Sequence, residues 1–280
     1  MQNISNSFFQ LASRTFSERV EFVLEKIWTD VNEFAIKNAI GSAYTRENFK
    51  TNSICPIMKI SECEYMAEMF YGPSGSFKDI YSLLLPFIIP SRKLAVMASS
   101  GNGALAAANA FASADRTRLL IFYPKSSICE EHYLGLVTNA NENVTVVGVN
   151  GDLEDIQKNL DSIVQRNERL VLLHSIHLGK SAPLAACIIA LYCELLFQRE
   201  IKIGEPLNIV LPFKHSSLQH AYDLAVSLGL PTSSIDTKSL IIESDIEEAN
   251  IDIKALREKP IISDAIVSLG GMENFIRMVS

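Results

Sequence analysis

The most constraining feature of this chain is the alternation, between residues 94 and 242, of short apolar runs with helical stretches. Leu94-Ala95-Val96-Met97-Ala98, Arg118-Leu119-Leu120-Ile121-Phe122-Tyr123, Val144-Thr145-Val146-Val147-Gly148-Val149, Leu170-Val171-Leu172-Leu173, 207–211 and 239–242 read as strands. The stretches 104–114, 130–140, 152–164, 183–196 and 215–228 read as helices. Runs of about five residues separated by helices of roughly 10–14 cannot be joined as hairpins. They need crossovers, so the reading is an α/β fold, mainly parallel, with helices on both faces of the sheet. Upstream, Val20, Val23, Ile27, Val31 and Phe34 recur at helical steps, giving an amphipathic helix or helix pair over 16–40. Residues 65–70 alternate as a strand, and the tail after Pro260 is expected to end in helix.

Composition narrows the setting. The chain has 280 residues and a formal net charge of −7, which fits one large domain or two lobes and argues against nucleic acid or an acidic membrane as partner. Five cysteines without a C-x-x-C pair suit a reduced, cytoplasmic compartment better than a disulfide framework. The first ten residues lack the basic end and apolar core of a signal peptide, and apolar runs such as 81–90 are broken by proline. A soluble protein is expected.

The chemistry starts at Phe70-Tyr71-Gly72-Pro73-Ser74-Gly75-Ser76-Phe77-Lys78-Asp79. This tight turn places one lysine at the start of an expected helix over 80–89, with Ser74 or Ser76 as N-cap. A lysine between Phe77 and Ile80 is poorly solvated, and a neutral amine can attack an aldehyde. The alternative is a capped helix whose Lys78 reaches water along its stem. Ser99-Ser100-Gly101-Asn102-Gly103 ends a strand and precedes an alanine-rich helix. Open α/β sheets bind ligands at such places, because backbone N–H groups and the helix dipole point into the crevice.

Together, Gly72-Pro73-x-x-x-Phe77-Lys78-Asp79 and Ser99-Ser100-Gly101-Asn102 resemble the threonine synthase branch of the fold-type II pyridoxal-phosphate enzymes. The resemblance continues through Tyr123-Pro124-Lys125, Gly151-Asp152, Ser175-Ile176 and Leu228-Gly229-Leu230-Pro231. It implies a two-lobed fold like that of the tryptophan synthase beta chain, shortened at its C-terminal side. The implied divisions are an N-terminal helical segment over 1–60, a large cofactor-binding domain from 61–84 and 150–280, and a small α/β domain over 85–149. It also implies a lysine-bound pyridoxal 5'-phosphate, conversion of O-phosphohomoserine and water to threonine and phosphate, a small amino-acid substrate and a possible homodimer. Lys78 would carry the cofactor and Asn102 would sit by its ring. Ser99, Ser100 and Gly101 would hold the substrate carboxylate, with Ser175 and Lys180 near the substrate phosphate. Lys214, His215, Ser216 and Ser217 align with the loop that holds the cofactor phosphate.

Two departures bear on the activity. Lys180 stands where the family has arginine, which offers phosphate a bidentate fork that lysine lacks. Lys214-His215-Ser216-Ser217 replaces a glycine-rich loop whose backbone N–H groups converge on phosphate. Side-chain contacts replace the backbone ones, or phosphate binding is lost. The sequence also stops at Ser280, before the family's usual contact to the ring nitrogen; Ser263-Asp264-Ala265 faintly echoes it. A binding or regulatory module on the same scaffold, and a lyase resembling the serine and threonine dehydratases, are therefore the alternatives. Cys129-x-x-His132 and His174-x-x-His177 have ligand-like spacing, but without supporting cysteines no metal site is expected.

Overall fold

The computed structural model describes residues 3–51, 53–114, 117–211, 216–236 and 275–279. The chain divides into two units, one of Met1–Asp30, Thr45–Phe77 and Ser181–Ser280, the other of Val31–Tyr44 and Lys78–Lys180.

In the first unit, α1 (Phe8–Ala12) leads into α2 (Phe16–Ile27). A capping box starts α2: the Thr15 hydroxyl accepts from the Glu18 N–H, and the Glu18 carboxylate accepts from the Thr15 N–H. The stripe Val20, Val23, Leu24 and Ile27 is buried, as its helical spacing requires. Arg19 is only 2% exposed; it donates to the carbonyls of Leu11, Ala12 and Ala190 and pairs with Glu194 at 2.5 Å. The predicted helix pair is thus present, its second member being α3 (Glu33–Ala43) in the second unit, capped by Asn32. β1 (Ile57–Lys59) and β2 (Glu64–Glu68) return to the first unit.

The second unit is a wound sheet. The expected single helix over 80–89 is instead two short helices, α4 (Asp79–Ser82) and α5 (Leu85–Ile88). Pro86 in the first turn of α5 has no N–H to continue a helix from α4. The N-cap position of α4 is held by Lys78, where Ser74 or Ser76 was expected. Then follow β3 (Leu94–Ala98), α6 (Asn102–Ala112), β4 (Arg118–Pro124), α7 (Glu130–Thr138), β5 (Val144–Val149), α8 (Leu153–Gln165) and β6 (Leu170–Leu172). The four strands are parallel, in the order β5-β4-β3-β6. Val96 and Ala98, two apart on β3, pack with Leu172 against Ile156 and Leu160 of α8, which fixes which face α8 covers.

α9 (His177–Phe197) is 21 residues long and apolar enough to cross a bilayer. Most of it, including Leu184, Ile188, Leu191 and Tyr192, is buried inside the protein, which accounts for its composition. β7 (Leu207–Val210), α10 (Ser216–Ser227), β8 (Thr232–Asp236) and β9 (Phe275–Val279) complete the first unit. Among the described residues its sheet has the order β1-β2-β9-β7-β8, in which β7 and β8 are parallel and the other pairs antiparallel. The tail therefore ends in a strand where a helix was expected. β9 lies between β2 and β7, with Ile276 and Met278 buried on one face and Arg277 paired to Glu64 at 2.6 Å. The strand expected at 239–242 lies outside the described residues.

Candidate active site at a topological switch point

The strand order of the second unit decides where its ligand site belongs. The chain starts in the middle at β3, moves outward through β4 and β5, then returns to the other side of β3 as β6. Because β3 and β6 are parallel, their C-terminal ends lie side by side. Where connections leave adjacent parallel strands in opposite directions, open α/β sheets take their ligands. From β3 emerge Ser99, Ser100 and Gly101, with Asn102 as the first residue of α6. From β6 emerge a 3-10 turn, Leu173–Ser175, and the first turn of α9, which carries Lys180.

Lys78 reaches the start of α6 from its turn. Gly75 adopts φ +66°, a conformation glycine takes without strain, and its N–H donates to the Gly72 carbonyl at 3.0 Å. Phe77, Asp79 and Ile80 are fully buried around the half-buried Lys78. Its stem lies on the first turn of α6: a Cβ at Gly103 would stand 3.9 Å from Lys78 Cδ and 3.7 Å from Ser99 Oγ. A glycine at 103 keeps that approach open.

Lys180 is the second amine of the site. Burial, with the nearby charge of Lys78, lowers its pKa from 10.5 to about 8. Lys180 thus lies within electrostatic reach of Lys78, whose stem is at the start of α6, where the helix dipole adds partial positive charge. Such a place accepts an anion, and a proton is easily lost there near neutral pH.

Asn102 has a partner that sequence reasoning missed. Its Oδ1 is 2.8 Å from His132 Nε2, and His132 Nδ1 is 3.1 Å from Cys129 Sγ. The Cys129–His132 pair weighed as a metal half-site is thus tied to the asparagine loop. His174, from the other pair, faces Asp161 at 3.3 Å. Among the described residues no group of three or more His, Cys, Asp or Glu side chains converges as a metal site.

The remaining sequence-predicted residues divide as follows. Ser99 accepts a long contact, 3.5 Å, from the Gly101 N–H, and Ser100 is half-buried beside it. Ser175 ends the 3-10 turn after β6. Lys214 and His215 lie outside the described residues. Ser216 is the exposed first residue of α10, with Ser217 half-buried behind it, both in the first unit.

With this geometry in place, comparison with known proteins is decisive. The chain is 26% identical over 245 residues to threonine synthase-like 1 of Mus musculus, covering 79% of this chain and 33% of that protein. It is 24% identical over 202 residues to threonine synthase of Pseudomonas aeruginosa, covering 67% of this chain and 41% of that one. Over most of its length the chain is similar to the threonine synthases. Its fold is that of the threonine synthase structures. The PLP-bound enzyme from Brucella melitensis superposes with a TM-score of 0.72 at 20% identity, over 84% of this chain and 52% of that one. The yeast threonine synthase gives 0.68 at 18% identity, over 84% and 50%. No family model matches the sequence. The chain spans between a third and half of the length of these relatives. The fold-type II class expected from the motifs is therefore present, with its parallel sheet in the unit that carries Lys78.

Proposed function

We propose that this chain carries the pyridoxal-phosphate half-site of a threonine-synthase-like lyase, acting on a small phosphorylated amino acid such as O-phosphohomoserine. One observation supports the reading: the Lys78 stem and Ser99 Oγ both lie against Gly103 in the first turn of α6, beyond the end of β3, where a wound sheet takes its ligand. The residues fit the group. A half-buried lysine stem lies against a glycine in the first turn of α6, and a second amine responds to it electrostatically. When bound, the cofactor supplies an electron sink for negative charge developing on the substrate.

The protein's own part is positioning and proton handling. The amine of Lys78 would hold the cofactor through its aldehyde and would move protons beside the α6 N-terminus. Ser99, Ser100 and the N–H groups opening α6 receive a carboxylate. Lys180, with its pKa near 8, binds a phosphate in its ammonium form, and the incoming anion favours that form. The resemblance assigns the cofactor phosphate to Lys214, His215, Ser216 and Ser217. The domain division, a homodimer and a cytoplasmic setting are proposed on the sequence resemblance alone.

The test is absorbance on titration with pyridoxal phosphate. A band at the visible edge that is absent in Lys78→Ala supports the reading; no band overturns it. Phosphate release from O-phosphohomoserine then separates a working lyase from the second reading, a scaffold that binds without turnover. That second reading is favoured by the commitment of Asn102 Oδ1 to His132.

A further inference from the structure

The contact between α7 and the asparagine loop contains a second piece of chemistry. Cys129 is the N-cap of α7 and His132 is its N3 residue, positions whose side chains meet across the first turn. The thiol makes no capping bond; Sγ stands 3.1 Å from His132 Nδ1. On the far side of the ring, Nε2 stands 2.8 Å from Asn102 Oδ1. A carboxamide oxygen only accepts, so Nε2 carries the hydrogen and Nδ1 presents its lone pair to the thiol. The ring lies over Gly101, where a Cβ would be 3.9 Å from His132 Cε1. Asn102 thus holds the imidazole in the tautomer and direction a general base needs, and Cys129 is exposed to solvent. A thiol, an imidazole and an orienting acceptor in this order form a nucleophile-activating relay.

We propose that Cys129, His132 and Asn102 form such a relay, and that Cys129 is a modification site that takes up low-molecular-weight disulfides as mixed disulfides. The step balances without another reagent. As the sulfur electron pair attacks one sulfur of the incoming disulfide, the Cys129 proton passes to His132 Nδ1. The S–S bond of the reagent breaks, a new one forms to Cys129, and the departing thiolate takes the proton from Nδ1. Cys129 is oxidised and the reagent reduced. Asn102 is shared with the proposed cofactor site, but the thiol chemistry requires no cofactor and is read without it.

The other cysteines provide internal controls. Cys63 is exposed like Cys129, while Cys55, Cys187 and Cys193 are buried. The experiment treats the whole chain at pH 7 with 4,4'-dithiodipyridine and resolves each site by mass spectrometry over time. Cys129 is expected to react about tenfold faster than Cys63. His132→Ala and the more conservative His132→Gln should both bring Cys129 to within about twofold of Cys63, and Asn102→Ala should give an intermediate rate. Equal rates at Cys129 and Cys63 in the unmodified protein, or a fast Cys129 that persists in both His132 variants, would overturn the proposal.

Discussion

Lys180 offers the sharpest test of the site's electrostatics. Its pKa falls from 10.5 to about 8, chiefly through burial and secondarily through the charge of Lys78. Taken at face value, that fall disfavours the charged folded form by about 3 kcal/mol. The residue is only partly buried, and solvent relaxation trims the cost to about 1–2 kcal/mol. Below pH 8 the lysine is charged in both folded and unfolded chains, and the full penalty applies. Between about pH 8 and 10.5 the folded chain has lost the proton while the unfolded chain retains it, so stability rises with pH. Lys180→Met should therefore be more stable than the parent at pH 7 by about 1–2 kcal/mol, with the gap closing as pH rises past 8. Buried thiols act in the opposite direction at higher pH, since Cys193 is pushed up to about 12 and the unfolded chain releases its proton first. Urea unfolding of parent and variant compared at pH 7 to 9 isolates Lys180. Lys78→Met should move the parent's upturn to higher pH without abolishing it, because burial is the larger cause. A Lys180→Met variant no more stable than the parent at pH 7, with the same pH slope, would refute the desolvation of Lys180 within reach of Lys78.

Other expectations follow from single contacts. Arg19→Met removes the side-chain donor to the Leu11, Ala12 and Ala190 carbonyls and the cation paired with Glu194, and should cost about 2–4 kcal/mol in urea unfolding. Gly75→Ala forces a side chain onto φ +66° and should cost about 1–2 kcal/mol, with a loss of Lys78-dependent cofactor absorbance larger than the loss of stability. Thr15→Ala breaks the capping box and should lower stability by about 1 kcal/mol, with the site unaffected. Gly135→Val drives a Cβ to 2.6 Å from Leu105 Cδ1 where α7 meets α6, and should cost about 1–3 kcal/mol. That last variant should also slow disulfide uptake at Cys129 by displacing His132 from Asn102.

The sequence made the parts of the site legible where local chemistry dictates local shape. A Gly-Pro turn before Lys78 and a Ser-Gly-Asn loop after an apolar strand each announce themselves, because glycine and proline punctuate the backbone whatever the rest of the chain does. The β–α alternation was equally readable: all four strands from β3 to β6 fall where apolar runs predicted them. Where partners are remote, the signal was absent. β9 pairs its Arg277 with Met66, 211 positions earlier, and five residues of mixed character cannot advertise a strand whose hydrogen-bonding partners are so distant. The split of 80–89 into two short helices was visible only as Pro86, a residue equally tolerated in the first turn of a continuing fold.

The electrostatic heart of the site belongs to this second category, for a reason that lies in topology. Nothing local to Lys180 indicates that it will lose its proton near pH 8; an isolated helix start with one lysine would leave it solvated and ordinary. The shift comes chiefly from burial, and the return of β6 beside β3, which brings the turn after β6 near the loop after β3, adds the charge of Lys78. The same holds for His132, which reaches Asn102 only because α7 packs on α6 closely enough that Gly135 tolerates Leu105. Strand order, then, converts residues of unremarkable local context into a pair of coupled amines and a thiol relay on either side of one loop.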